Sequence, residues 1–427
     1  GLVYKLPGDW AISVEANRNS SENKNARAWI TYDTAAVQAA IRSGAIDVLR
    51  DTTMYPIDLS AFEVDNASAY GPSKGSTKEY VVRAGGPIAS YDAGSASLTA
   101  SLATRKDWAS SARSRTVFYP ARGQKVDSAY LEAFIPIFSS RQDIPFVSKL
   151  DGQVSVRHDR YATTAVPQGP SLVFDPVTGE IPPYRYVKNE VSSTDFTVGL
   201  RYAPIEDLTF RGSFGTGFLP PSISQLGKSS QQYSVYLADP RREGVQRLHT
   251  GVENVRGGGD DSLRPETSES TSLGLIYTPR YAEWLRLSVD YIRIRKKDEI
   301  RSLTPQEFVD LEDAFPGRVG RGENLPGDPA GWAGVINYVD ASIVNVARSN
   351  VDAIDFQIDI EKDFGRLGRM HLYGVASRQN ELSTRVLEST PWVDRIGYSD
   401  GILPVRGNVG IDWNIGQSTL SMNTQYY

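Results

Sequence analysis

Cysteine is absent from the 427-residue chain, and histidine and methionine occur only three times each. A chain without cysteine forms neither disulfide bonds nor thiolate metal sites, and it can pass through an oxidising periplasm without mispairing. The histidines, His158, His249 and His371, are isolated in the sequence, so they support neither a metal cluster nor a catalytic dyad. We therefore expect ordinary hydrogen bonding from them, no catalytic residue, no bound metal and no cofactor, and we do not expect an enzyme.

Long apolar runs are also absent, since no stretch of about 18 apolar residues occurs, and this excludes a spanning helix. A membrane protein built from this chain must therefore cross the bilayer as a closed β-barrel. The formal net charge of -5 leaves no basic footprint of the kind that nucleic-acid binding requires. Residues 1–6 do not have the architecture of a signal peptide, and we expect the chain to start inside a longer precursor.

Aromatic residues, by contrast, are plentiful: the chain has 22 Tyr, 14 Phe and 7 Trp. Hydrophobic residues nevertheless make up only 40% of the chain, and its mean hydropathy is -0.35. A chain that is aromatic yet polar overall suits a barrel whose strands face lipid on one side and water on the other.

Apolar and polar residues alternate along most of the chain, which is the pattern of strands with two different faces. In residues 196–202, for example, Phe196, Val198 and Leu200 share one face, opposite Thr197 and Gly199. Alternation alone suits a sandwich with one solvated face equally well, so the lengths of the connections decide between the two folds.

Short and long connections take turns along the chain, as in a bacterial outer-membrane barrel with tight turns on one rim and long loops on the other. Short connections are predicted near residues 7–9, 85–95, 139–146, 204–207, 279–284, 363–368 and 415–417. Long polar connections are predicted near residues 20–77, 109–124, 163–189, 219–266, 298–334 and 379–404. The sequence thus predicts an all-β, antiparallel transmembrane barrel with roughly fourteen strands in this chain, and one long strand over Val335–Lys362 preserves the order.

Aromatic side chains collect beside the short connections, which predicts an aromatic girdle at a membrane interface. The members of this girdle are Trp10, Phe138, Phe146, Tyr202, Tyr277, Trp284, Phe364 and Trp413.

Three segments resemble recurrent elements of the TonB-dependent outer-membrane receptor family. Residues 198–226 contain Gly217, Phe218, Leu219, Pro220, Pro221 and Ser222, similar to the family's Gly-Phe-x-x-Pro-Ser element. Residues 263–279 resemble its Leu-x-Pro-Glu-x-Ser element, and residues 285–300 resemble the strand that follows. Leu219 and Pro220 depart from the residues most common at those positions. The resemblance covers most of residues 80–427.

The resemblance implies both the fold and the function of the whole receptor. It implies a large barrel of the 22-stranded type, of which residues 1–427 are a part, with a plug domain that is not in this chain. Its implied function is the import of a scarce, bulky solute, a ferric siderophore in first place, with energy delivered by the TonB-ExbB-ExbD complex through that plug. The implied location is the bacterial outer membrane, with its lipid as a further partner.

Candidate site residues follow from the placement of loops and charges. Long loops on a rigid scaffold are where recognition is placed, and Arg suits anionic ligands. The loop over residues 219–266 therefore supplies the predicted solute-binding residues, which are Tyr233, Tyr236, Arg241, Arg242 and Arg247. On the polar faces of the strands, Glu132 and Asp355 are predicted to dock the plug. Gly257–Asp261 lacks the spaced carboxylates of a calcium loop, and a solvated loop tip is predicted there.

Two other functions remain open at this stage. A passive outer-membrane porin would show the same strand rhythm and would conduct ions without a plug. A soluble carbohydrate-binding β protein would be favoured if the chain dissolved in water without detergent.

Overall fold

A computed structural model shows one dominant antiparallel sheet. The structure describes residues 1–23, 26–27, 30–65, 68–69, 73–113, 117–166, 172–175, 178–226, 228–243, 245–248, 255–397 and 402–427. For a few of these, including residues 228–233 and 245–248, only the backbone is described. No helix in the described part combines the length and the apolar character that crossing a membrane requires.

Fourteen strands of this sheet follow one another in chain order, each hydrogen-bonded to its predecessor. They are β1 (Leu2–Lys5), β2 (Ala11–Asn23), β3 (Ser73–Tyr91), β4 (Gly94–Ala109), β5 (Arg122–Ser139), β6 (Lys149–Ala165), β7 (Val187–Ile205), β8 (Leu208–Leu219), β9 (Glu266–Tyr277), β10 (Leu285–Arg301), β11 (Val344–Asp363), β12 (Arg369–Arg385), β13 (Val405–Ile415) and β14 (Ser418–Tyr426). The short strand Val393–Asp394 joins the sheet beside β12. The predicted number of strands and the alternation of short turns with long loops are both confirmed.

Large apolar side chains on one face of this sheet are left open rather than packed against another layer. Leu102, Leu273 and Val409 expose 66%, 55% and 54% of their surface. Side chains of that size gain about 1.5–3 kcal/mol each when they leave water, so hydrocarbon is the surrounding that suits this face. The fold is the predicted all-β barrel, with its apolar band outside and its polar side chains inside.

Aromatic side chains fasten neighbouring short turns to one another. The phenol O–H of Tyr202 donates to the backbone carbonyl of Phe146 at 2.6 Å, and the indole N–H of Trp413 donates to that of Leu367 at 2.7 Å. Rings with one polar atom satisfied by the backbone and an apolar body outside suit a membrane interface.

The predicted long strand over Val335–Lys362 is wrong in its upper part. Its lower part is the barrel strand β11, but Ile336–Asp340 belongs to another sheet and pairs in parallel with Val255–Gly258. Backbone groups above the barrel rim find no partner on the neighbouring barrel strands, so they pair with a second loop instead.

The remaining elements lie in the long loops. The first loop contains the helix α1 (Thr34–Arg42), which begins where the Asp33 carboxylate accepts from the backbone N–H of Ala36 at 3.0 Å. A short helix, α2 (Pro305–Asp310), lies in the loop after β10. Short loop strands are Ala26–Arg27, Ile30–Tyr32, Glu63–Asp65, Ser68–Ala69, Ala112–Arg113, Val117–Tyr119, Leu172–Val173, Lys228–Tyr233, Tyr236–Asp239, Val245–Leu248, Val255–Gly258, Val319–Arg321 and Ile336–Asp340.

Candidate functional site

Ion pairs line the inner wall of the barrel on the strands in the middle of the sheet. Arg201 on β7 binds the buried carboxylate of Asp151 on β6, with its Nε at 2.7 Å. Arg211 on β8 binds Asp290 on β10 at 2.6 Å, although β9 runs between these two strands. Such charges are costly in a dry core, so the wall suits a wet interior or a second polar body seated in it.

Gly274 on β9 explains how the Arg211–Asp290 pair crosses a strand. A Cβ at this position would lie 2.2 Å from Oδ1 of Asp290 and 2.6 Å from Nε of Arg211. Glycine therefore clears the space in which the two side chains meet above β9. The sequence shows a glycine between two leucines, and only the sheet register shows its purpose.

A recess of about 540 Å³ opens on the inner wall beside these arginines. Its lining includes Phe134, Asp151, Gln153, Gly199, Arg201, Arg211, Ser213 and Ser272. Gly199 has no side chain to fill the recess, and Arg201 and Arg211 both line it. The recess therefore offers hydrogen-bond donors and one aromatic ring to whatever occupies the interior.

The predicted plug-docking carboxylates both lie on the inner wall. Glu132 accepts a hydrogen bond from the phenol of Tyr130, and Asp355 accepts one from Ser377 at 2.5 Å. Asp355 also stands directly opposite Asp290 in the sheet register. In the part of the chain that the structure describes, neither Glu132 nor Asp355 forms an ion pair with Lys or Arg.

The two long loops after β8 and β10 fold together into a unit that we call the loop domain. Its sheet has the order Lys228–Tyr233, Val255–Gly258, Ile336–Asp340 and Val319–Arg321, so each loop contributes two strands. Its hydrophobic core consists of Leu237, Val255, Leu303, Phe308, Val309, Phe315, Val319, Ile336, Val339 and Ala341. Loops with a shared core and a shared sheet form a scaffold, and they are not independent flaps.

Asn345 at the top of β11 fastens the loop domain to the barrel. Its side-chain amide donates to the carbonyls of Arg264 and Asp298 at 2.7 and 2.8 Å, and its oxygen accepts from the N–H of Arg264 at 2.7 Å. Three backbone groups, two of Arg264 and one of Asp298 on β10, therefore depend on one side chain.

Arg321 holds the centre of the loop domain. Its guanidinium binds Asp239 at 2.8 and 2.9 Å and Glu312 at 2.7 Å, and it also donates to the carbonyl of Gly334. Burial alone would raise the pKa of Asp239, but the hydrogen bonds from Arg321 and from the backbone N–H of Arg241 hold that pKa below its usual value.

The predicted solute-binding residues are distributed over different surroundings. Arg242 is only 2% exposed: it binds Asp328 at 2.6 Å and lies over the Trp332 ring. Arg241 is partly exposed and binds Asp313 and Glu312, while Tyr236 is 67% exposed. The guanidinium of Arg242 is thus occupied within the loop domain, whereas Tyr236 and Arg241 reach the surface.

Other predicted residues fall partly outside the described set. The side chains of Tyr233 and Arg247 are not among the described ones, and neither is His249. His158 and His371 form ordinary hydrogen bonds, to Thr194 and Asp359, as predicted. Within the described residues, no group of three or more His, Asp or Glu is arranged to hold a metal ion.

The loop tip predicted at Gly257–Asp261 is wrong. Val255–Gly258 is a strand of the loop-domain sheet, and the Asp260 carboxylate binds Arg318 at 3.0 Å. A signal for the loop domain is nonetheless present in the sequence, because Thr304 and Glu307 form a capping box immediately before the apolar residues Phe308 and Val309.

Solved structures of transporters share this fold at low sequence identity. The FrpB iron transporter from Neisseria meningitidis aligns with a TM-score of 0.51 and 10% identity, over 99% of this chain and 50% of its own. The copper transporter OprC aligns with a TM-score of 0.50 and 10% identity, over 97% of this chain and 49% of its own. The chain therefore spans about half the length of these neighbours.

No curated protein matches the sequence. The family described as TonB dependent receptor-like, beta-barrel, matches residues 2–426, which is nearly the whole chain. The fourteen consecutive strands, the open apolar face and the charged inner wall agree with that match. The chain belongs to the TonB-dependent receptor family, and its residues 2–426 match the family's β-barrel.

Proposed function

We propose that this chain is the wall and the capturing surface of an outer-membrane receptor that binds a scarce, bulky solute and imports it with energy delivered through TonB. A ferric siderophore is the solute class that we favour. The observation on which the proposal rests is the loop domain. Two loops with their own core and an internal ion-pair network present a fixed surface above a barrel with a polar interior. A rigid surface loses less conformational entropy when a solute binds.

Tyr236 and Arg241 are the described residues that we propose for solute contact. Both lie on the loop domain, and both reach solvent. A tyrosine ring and a guanidinium that both reach solvent suit an anionic, aromatic ligand, because the ring stacks and the guanidinium binds oxyanions. Tyr233 and Arg247 remain part of this proposal from the sequence alone.

Replacing Tyr236 and Arg241 together with alanine should weaken solute binding by about tenfold or more. The measurement is binding of a radiolabelled ferric siderophore to whole cells at low temperature, followed by uptake after warming with and without a protonophore. The matched control is Tyr281→Ala, which removes a tyrosine that is 83% exposed beside a short turn at the opposite rim.

A receptor coupled to TonB should keep its binding but lose its uptake when the protonophore is present. Uptake that continues without inner-membrane energy, together with steady ion conductance in planar bilayers, would instead identify a passive porin. Unchanged binding in the double variant would remove this face of the loop domain from the proposal.

We further propose that Glu132 and Asp355 dock a plug domain. Both carboxylates face the interior, and their bonds within this chain come from hydroxyl groups, so each can accept a cationic side chain from a second body. The double substitution Glu132→Gln and Asp355→Asn should lower the urea concentration at which the plug is released, measured by protease access. Glu361→Gln is the control, since Glu361 already binds Arg369 within this chain. An equal shift in the control would exclude the docking role.

A further inference from the structure

Four basic side chains lie opposite one another across four neighbouring strands of the barrel. Arg18 on β2 is paired in register with Lys78 on β3, Lys78 with Lys106 on β4, and Lys106 with Lys125 on β5. We call this row the basic belt. Residues directly opposite in an antiparallel pair have Cβ atoms about 5 Å apart, where like charges destabilise the sheet.

The basic belt lies on the outer face, beyond the apolar band. Side chains two or four residues apart on a strand share a face, and Lys106 stands four residues beyond the exposed Leu102 toward the long-loop end. Tyr80 and Trp108 lie on the same face beside the belt, and Nζ of Lys106 is 5.7 Å from the centre of the Trp108 ring. Aromatic rings beside long basic side chains are typical of a membrane interface.

The protein itself neutralises little of this charge. Lys125 binds Asp127 at 2.7 Å. Elsewhere in the belt, Arg18, Lys78 and Lys106 form no ion pair with any residue that the structure describes. On the next two strands, Arg160 and Lys188 extend the basic surface and share a single carboxylate, that of Glu190.

A second group of outer-face charges shows the opposite arrangement. On β10, Arg295 binds Asp352 at 2.8 Å and Glu381 at 3.1 Å, and Lys297 binds Glu269 at 3.0 Å. In this second group, carboxylates of the barrel strands themselves neutralise the basic side chains. The unbalanced charge is therefore a local feature of β2 to β5 and is not a general property of the barrel rim.

We propose that the basic belt binds the phosphate groups of lipid headgroups in the leaflet around the long-loop end of the barrel. This inference rests on the proposed function, because it requires the barrel to lie in a membrane. A row of phosphates neutralises the three cations that lack an ion pair and lies beside Lys125, and the neighbouring rings suit the depth of the headgroups. Lipid phosphates are already concentrated at that depth, unlike phosphate ions in solution.

The test uses the protein inserted in phosphatidylcholine vesicles that contain a trace of spin-labelled lipid. Electron spin resonance gives the association constant of spin-labelled phosphatidic acid relative to spin-labelled phosphatidylcholine. In the variant Lys78→Gln with Lys106→Gln, this ratio should fall about fivefold. The matched control is Arg83→Gln with Arg286→Gln, which removes two exposed arginines whose side chains point to the inner face of β3 and β10. Its ratio should stay at the value of the unmodified protein.

Each outcome separates this inference from the proposed function. If inserted protein retains its preference for phosphatidic acid in the Lys78 and Lys106 variant, the basic belt does not bind lipid phosphate. If the control loses as much as that variant, net charge alone causes the effect, and the inference also fails. If the unmodified protein immobilises neither lipid, it does not lie in the bilayer, and the proposed function fails with it.

Discussion

Replacing Arg321 with alanine should lower the free energy of unfolding of the loop domain by about 3–5 kcal/mol, the usual loss when one partner of a buried ion pair is removed. The side chains of Asp239 and Glu312 are only 5% and 14% exposed. The substitution leaves the buried carboxylate of Asp239 without its ion-pair partner, and leaves that of Glu312 with only Arg241, at 3.4 Å. Hydrogen exchange measures the loss of stability segment by segment. Amide protection in Val319–Arg321 and Ile336–Asp340 should fall by roughly a hundredfold or more. Protection in the barrel strands should not change.

Arg264→Ala is the matched control for Arg321→Ala. Arg264 also forms an ion pair, with Asp298 at 2.9 Å, but its side chain is 69% exposed, so its loss should cost less than about 1 kcal/mol. Acid should act in the same direction as Arg321→Ala. Because the folded-state pKa of Asp239 lies below its usual 3.8, its stabilising effect is complete above that pH and is lost as the pH falls below it. Equal protection in the two arginine variants would show that the network does not hold the loop domain together.

The barrel was predictable from the sequence because strand alternation and turn length are local properties. The residues Phe196, Val198 and Leu200 face outward as their alternation predicts, since a strand places successive side chains on opposite faces whatever its partners are. Short turns between antiparallel strands are likewise set by a few neighbouring residues. Both features can be predicted without any knowledge of long-range contacts.

The loop domain was not predictable in the same way because its sheet joins two distant segments. Val255 pairs with Val339 across a barrel hairpin, and no local pattern specifies that pairing. Arg242 illustrates the consequence for the site. An arginine in a polar loop appears available for a ligand, but Asp328, 86 residues away in the chain, occupies it.

Gly274 shows the same limit within the barrel itself. Its neighbours Leu273 and Leu275 identify a strand, in which glycine is unfavourable on propensity alone. Glycine is required at this position because the Arg211–Asp290 ion pair passes over it, and this pair joins two strands that are not adjacent. Specific side-chain contacts across a sheet follow from its register, which the sequence sets only through the complete fold.

Gly368→Ala should strongly impair folding of the barrel at the turn between β11 and β12. Gly368 has φ +86° and ψ -174°, a conformation that is open almost only to glycine. A Cβ there would also lie 1.9 Å from the carbonyl oxygen of Asn414 on β13, a backbone atom that cannot turn away. The backbone strain alone costs about 1–3 kcal/mol, and relief of the clash requires β13 to shift away from β12.

The measurement is the folded fraction of refolded protein, seen as heat-modifiable migration in gel electrophoresis, and Gly365→Ala in the same turn is the control. Gly365 has φ +61°, but an added Cβ meets no atom within 4 Å, so its replacement should cost only about 1 kcal/mol. The folded fraction should therefore fall severalfold for Gly368→Ala and change little for Gly365→Ala. If both variants refold to the same extent, the close approach of β13 to this turn does not limit assembly of the barrel. Of the two positions, only 368 would bring an added Cβ against a backbone atom of β13.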